Sequence, residues 1–197
     1  MALAFHPLTP DRWPDLVELF GPSGAYSGCW CMYLRAPTRE FEANCPNGGA
    51  PNKRRLHARV KAGEVPGLLG YRDGRPVGWV SVSPRSDYVR VLRSPVHKPL
   101  DGEAGVWAIA CFFVAKSARG QGVADALLEA AVRYARKHGA RIVEGYPIDT
   151  AGASRRSAEM WRGSAAQFLR AGFEIAARRK SARPIVRKRL RGKAPAQ

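Results

Sequence analysis

The stretch Arg119-Gly120-Gln121-Gly122-Val123-Ala124 is the part of this chain whose residue types point most directly to chemistry. A glycine turn that runs straight into a helix is an anion trap. The first N–H groups of the helix have no intrahelical partner, and the helix dipole is positive there. Glycine at 120 and 122 clears Cβ atoms from the approach to the backbone, and small Ala124 keeps the helix start open. The arrangement suits a pyrophosphate. It lacks the Gly-Lys-Ser/Thr of a P-loop, and it lacks the third glycine and the later acidic residue of a dinucleotide fold.

Proton transfer beside such a trap needs a titratable group. Glu144, with Tyr146 and Asp149 just after it, is the candidate base, and Glu103 and Cys111 are further candidates. A salt-bridging role for Glu144 weighs at least as much. Cys111 offers a covalent route, although a buried cysteine on an apolar strand is usually inert. A second group, Tyr26, Cys29, Trp30, Cys31, Met32 and Tyr33 with the later Glu159 and Trp161, is rich in aromatic and sulfur side chains. Such residues line an adaptable apolar pocket or form a satellite core under a long loop, and both readings stay open. Cys29-Trp30-Cys31, even with Cys45 and His57, misses the spacing of zinc knuckles, so no metal is expected. Four irregularly placed cysteines do not make a disulfide framework.

The elements that must hold these groups follow from the pattern of apolar residues. Residues 3 to 8 read as a strand, and Thr9-Pro10-Asp11 offers an N-cap and first turn for a helix carrying Leu16, Val17, Leu19 and Phe20. Residues 22 to 50 lack periodicity, and 51 to 62 look helical as far as Gly63. Two runs, 67 to 71 and 77 to 83, flank Arg72-Asp73-Gly74-Arg75-Pro76 as a hairpin. The polar stretch 84 to 103 connects to Val106 to Ala115, a continuous apolar run typical of a central strand. From Val123 one broad apolar helical face runs to Gly139. Arg141 to Tyr146 is another strand, Ser164-Ala-Ala-Gln167 fits a capping box for a short helix stopped by Gly172, and 173 to 177 and 184 to 190 form a last strand pair.

Strand, glycine loop and helix together resemble the GNAT acyltransferases. Val114-Ala-Lys-Ser-Ala-Arg119-Gly120-Gln121-Gly122-Val123-Ala124 is similar to their Arg/Gln-x-x-Gly-x-Gly/Ala signature, and the late Ala171-Gly172-Phe173 falls in the family's order. The resemblance covers residues 67 to 190. It implies a mixed α/β (α+β), mostly antiparallel sheet of six to seven strands, with helices on both faces and a V-shaped cleft between the two central strands. Acetyl-CoA is then the expected co-substrate. Phe113 and Val114 would bond its pantetheine arm, Arg119, Gly120, Gln121, Gly122, Val123 and Ala124 its pyrophosphate. The acceptor would meet Trp30, Cys31, Tyr33, Glu159 and Trp161. Glu144 would serve as base. The family's acid, a tyrosine four residues before the helix-ending glycine, is Phe168 here, which leaves Ser164, Tyr146 or solvent as substitutes, a thiolate of pKa about 8.5 being a tolerable leaving group without help.

Length and composition fit one domain over residues 1 to 190, with a substrate side in 1 to 66, the sheet in 67 to 190 and a frayed tail in 191 to 197. No apolar run is long enough to span a membrane, and the start of the chain has no export pattern, so we expect a cytoplasmic protein, monomeric or homodimeric. The net charge is +17, with 25 arginines among the 33 basic residues, and it gathers after residue 50. Such a field favours anionic partners. The favoured acceptor is a primary amine of a small metabolite or antibiotic-like molecule. The late cluster Arg178, Arg179, Lys180, Arg183, Arg187, Lys188 and Arg189 keeps aminoacyl-tRNA or a ribosomal protein as an alternative acceptor. A non-catalytic module that senses acyl-CoA is a third.

Overall fold

The computed structural model describes residues 2–150 and 160–190. Seven strands make one sheet: β1 (Leu3–Pro7), β2 (Gly67–Arg72), β3 (Arg75–Pro84), β4 (Val106–Val114), β5 (Ile142–Gly145), β6 (Glu174–Ala177) and β7 (Ile185–Arg189), in the spatial order β1-β2-β3-β4-β5-β7-β6. All neighbours are antiparallel except β4 and β5. The β2–β3 hairpin turns on Asp73 and Gly74, both with positive φ, as a tight two-residue turn requires.

Helices cover both faces. Helix α5 (Val123–Lys137) buries Val123, Leu127, Leu128, Ala131 and Ala135 against β2, β3 and β4, where Val80, Val82 and Ile109 complete the core. On the opposite face α1 (Trp13–Phe20) and α3 (Pro46–Lys61) press Leu16, Phe20, Leu56 and Val60 onto Leu69 and Trp79. The i, i+3, i+4 spacing of Leu16, Leu19 and Phe20 is what puts that apolar stripe on one side. Three short helices, α2 (Thr38–Ala43), α4 (Val89–Arg93) and α6 (Ala165–Arg170), fill connections. Among the described residues no helix is long and apolar enough to cross a membrane.

Several boundaries differ from expectation. Thr9 does not cap α1: a 3-10 turn, Pro10–Arg12, comes first, and the Thr9 hydroxyl accepts instead from Arg12 Nη1 at 3.3 Å. The stretch read as a plain connection, 84 to 103, contains α4, and the aperiodic 22 to 50 contains α2. Ser164 does cap α6, its Oγ accepting from the Gln167 N–H at 3.1 Å.

The connection after α1 is held in a tight bend. Gly28 and Gly49 meet so closely that a Cβ on either would overlap the other's backbone. Trp30 and Cys31 sit consecutively at positive φ, a conformation costing about 1–2 kcal/mol per L residue, and burial at 2% and 7% exposure holds them there. Arg35, buried at 5% exposure, ties this segment to the sheet by donating to Pro66 O (3.0 Å), Ser83 Oγ (2.7 Å) and Tyr88 Oη (3.1 Å) and pairing with Asp87 (3.3 Å).

Candidate active site

The site begins with a splay. β4 and β5 run parallel through four pairs, Val106↔Ile142 to Ile109↔Gly145, and there β5 ends while β4 continues five residues to Val114. A bulge sharpens the divergence: Ser81 faces Cys111 and Val82 faces Ile109, leaving Ala110 as the extra residue. The Ala115 N–H bonds Val77 O on the β3 side. By alternation the main-chain groups of Phe112 and Val114 then point across the splay. The Phe112 N–H is taken by Trp161 O at 2.6 Å, which lays the Trp161 loop across the opening.

β4 leads into the glycine loop. A 3-10 turn at Lys116–Ala118 tucks Ala118 into the core and leaves 119 to 122 exposed. Gly120 and Gly122 have φ of 72° and 74° with open space where a Cβ would be, so backbone conformation and not packing demands glycine. Arg119 Nε donates back to Val114 O (3.1 Å), and Gln121 Nε2 to Ser117 O (2.8 Å), while Arg72 bonds the Gln121 side-chain oxygen. The first N–H groups of the 15-residue helix α5 therefore face solvent beside a pinned loop, with Lys116 and Arg119 adding positive charge.

One cavity of about 1300 Å³ joins this loop to the far side of the splay. Phe113, Val114, Arg119 and Ala124 line its loop end, and Cys31, Tyr33 and Trp161 its other end. Gly120, Gln121, Gly122 and Val123 are not on its wall; Val123 is buried in the core. Trp30 turns into the core beside Trp13, at 6.2 Å between ring centroids, and donates to Gly48 O at 2.8 Å, which removes it from the wall. Glu159 lies outside the described residues. Ser164 is absent from the wall and occupied as the α6 cap.

Glu144 and Tyr146, expected as base and acid, lie away from this cavity. Glu144 is 1% exposed and off the cavity wall, and its Oε1 accepts from Arg85 Nη1 (3.0 Å) and Arg187 Nε (2.7 Å). Its Oε2 accepts from the Tyr146 hydroxyl (2.8 Å). A carboxylate so engaged is a structural counter-ion, and Tyr146, whose pKa burial and the Glu144 charge push well up, holds its proton there. Periodicity did not reveal this because both arginines arrive from distant segments.

Sequence reasoning missed His97 and Arg162, two groups that also face the cavity. Its wall among the described residues holds no carboxylate, whereas Lys116, Arg119, Arg162, Lys180 and Arg183 all contribute. His97, also on the wall, has an Nε2 without a hydrogen-bond partner among the described residues, and burial, with Arg162 and Arg183 nearby, lowers its pKa to about 4. Cys31 and Cys111 touch across the cavity floor. Trp79 Nε1 donates to Cys31 Sγ (2.9 Å) and the Cys111 thiol to Phe112 O (3.7 Å), and the two neighbouring sulfurs shift each other, Cys31 towards thiolate and Cys111 well above the usual thiol range. Arg119, Lys180 and Arg183 stood out in the sequence, whereas for Arg162 the one signal was the excess of arginine.

A splayed parallel pair whose longer strand enters a glycine loop and a helix start is the framework of an acyltransferase. The sequence matches the family model for the acetyltransferase (GNAT) family over residues 30–161, and the chain belongs to that family. No curated protein matches it. Among solved structures it is similar to the PaiA N-acetyltransferase of Thermoplasma acidophilum in complex with coenzyme A (12% identity, 96% of this chain and 100% of that one, TM-score 0.55). It is also similar to a GCN5-related N-acetyltransferase of Kribbella flavida (16%, 96% and 98%, 0.56) and a ribosomal-protein-alanine N-acetyltransferase of Brucella melitensis (19%, 95% and 99%, 0.52). At these identities the likeness is one of fold.

Proposed function

We propose that this protein is an acetyl-CoA-dependent N-acetyltransferase acting on a primary amine of a small molecule by direct attack. The observation that carries the reading is one continuous cavity running from the cationic side of the glycine loop, through the β4–β5 splay, to an aromatic and sulfur-rich far end.

Acetyl-CoA fits these residues. The N–H groups of 120 to 124 with Arg119 and Lys116 hold the pyrophosphate, and the Val114 main chain, which points across the splay, holds the pantetheine arm. The Phe113 main chain pairs with β3, so that residue contributes only to the cavity wall. The bond formed is amine nitrogen to acetyl carbon, and the bond broken is carbonyl carbon to sulfur, which leaves as thiolate. Attack makes the nitrogen strongly acidic, so a weak base suffices to take its proton. We assign that role to His97, kept neutral at physiological pH by burial and neighbouring cations. Cys111 is a poor nucleophile for a covalent route because its thiol keeps its proton. Phe168, 0% exposed and stacked edge-on with Phe112 and Phe173, offers no hydroxyl to the thiolate, which at a pKa of about 8.5 leaves without one.

The late basic cluster gives little support to a nucleic-acid acceptor. Arg187 and Arg189 are paired with Glu144, Asp101 and Glu103, Arg178 with Asp149, and Arg179 and Lys188 bond main-chain carbonyls, leaving Lys180 and Arg183 at the cavity. The test is release of free coenzyme A thiol from acetyl-CoA across a panel of primary amines, with the acetylated product identified by mass. Acetylation of at least one small amine is expected. Binding of acetyl-CoA with no thiol release from any amine or peptide would identify a sensor instead.

A further inference from the structure

Arg162 is 7% exposed and lies on the cavity wall, yet its Nε and Nη1 have no hydrogen-bond partner among the described residues. Its guanidinium lies 4.5 Å from the Trp161 ring centroid and 5.9 Å from that of Tyr33. The other buried arginines among the described residues are treated differently. Arg35 has Asp87, Arg85 has Glu144, and Arg187 has Glu144 and Asp101. Only at Arg162 does the fold bury an arginine and supply no carboxylate among the described residues. A buried cation that faces a cavity without a counter-ion is completed by an anionic ligand.

The surroundings agree. Arg183 and Lys180 line the same cavity, and a second cavity of about 400 Å³ adjoins it, with Tyr33, His97 and Arg162 on both walls. That smaller cavity adds Arg90 and Arg93 and again has no carboxylate among its described lining. Burial and Arg183 pull the Arg162 pKa only to about 10, so it stays charged at neutral pH. Its neighbour Trp161 is the residue whose carbonyl holds Phe112 N–H in the splay, which puts the cation on the acceptor side, close to where the acyl group would be transferred.

We infer that the acceptor is a small amine that also carries an anionic group, a carboxylate or a phosphate, and that Arg162 binds this group with Arg183 at the mouth. This rests on the acetyltransferase reading and deepens it. A planar guanidinium packed against the Trp161 ring, with Tyr33 beside it, suits a small, flat anion on an otherwise apolar molecule.

The test uses the full chain saturated with coenzyme A, and equilibrium binding of three probes: phenylacetate, phenyl phosphate and phenylacetamide. At least one anion should bind about tenfold or more tighter than the neutral amide, and the better anion identifies the natural group. Arg162→Gln should abolish the difference while coenzyme A affinity is unchanged, and Arg162→Lys should keep part of it. Arg183→Gln, a change nearer the surface, should reduce it and serves if Arg162→Gln does not fold. Equal binding of anions and amide, or a preference that survives Arg162→Gln, would overturn the inference. Failure to bind coenzyme A at all would instead sink the acetyltransferase reading.

Discussion

The Tyr146 hydroxyl donates to Glu144 Oε2 at 2.8 Å, with both side chains 1% exposed. Two residues apart on one strand end, they share a face, and Arg85, from the turn after β3, and Arg187, from β7, close the cluster on either side. Asp101 extends it, its carboxyl held down to about 2 chiefly by hydrogen bonds from Arg187. The cluster locks β5 and β7 together at the base of the splay.

Removing one charge from it should be costly. Glu144→Gln leaves two buried guanidinium groups undercompensated, and we expect a loss of about 3–5 kcal/mol in denaturant unfolding. Tyr146→Phe deletes one neutral donor and should cost about 1–2 kcal/mol. A catalytic base would show the reverse pattern, with activity lost and stability kept.

Phe168→Tyr restores the side chain that the family commonly uses as an acid. Here position 168 is fully enclosed by Phe112, Phe173 and the backbone of Gly145 and Gly163, so the added hydroxyl enters a packed core. Thermal or chemical unfolding should register a destabilisation of about 1–3 kcal/mol. Unchanged or increased stability would mean that the ring edge faces open space.

Arg35→Met tests the anchor of the acceptor-side segment. Asp87 keeps Arg59 as a partner at 3.1 Å, so the loss falls on the bonds to Pro66 O, Ser83 and Tyr88. We expect about 3 kcal/mol lost in unfolding experiments, the scale for breaking a buried charged network.

The central framework was legible in the sequence, and the site's charges were not. The run from Val106 to Ala115, the glycine turn and the apolar face from Val123 carry strong local signals, because a buried strand and an amphipathic helix each impose their own period. The same alternation placed Glu144 on a half-buried strand but could not say that Arg85 and Arg187 meet it, since those pairings depend on the sheet order. Trp30 was grouped with the cavity residues by proximity in sequence, whereas its positive φ turns it inward. Arg162 lay in a stretch with no periodicity, and an arginine's isolation is a property of the space around it.

His97 supplies a pH dependence. An unfolded chain's imidazole takes up a proton near pH 6.5, whereas the folded one stays neutral down to about pH 4. The unfolded state therefore binds more protons in that window, and stability is lost as pH falls from 6.5 towards 4, by up to about 3 kcal/mol. Unfolding free energies measured across this range should fall less steeply for His97→Gln. Identical slopes for the two proteins would place the proton uptake elsewhere.

The most direct measurement is the melting temperature of the wild-type protein and of Gly122→Asp with increasing acetyl-CoA, since a ligand that binds only the folded state must raise it. The substitution puts a negative charge and a strained left-handed residue at the helix start that faces the pyrophosphate. The account predicts a rise that grows with acetyl-CoA in the wild type and is absent in the variant. No rise in the wild type at millimolar acetyl-CoA, or an equal rise in both, would contradict it.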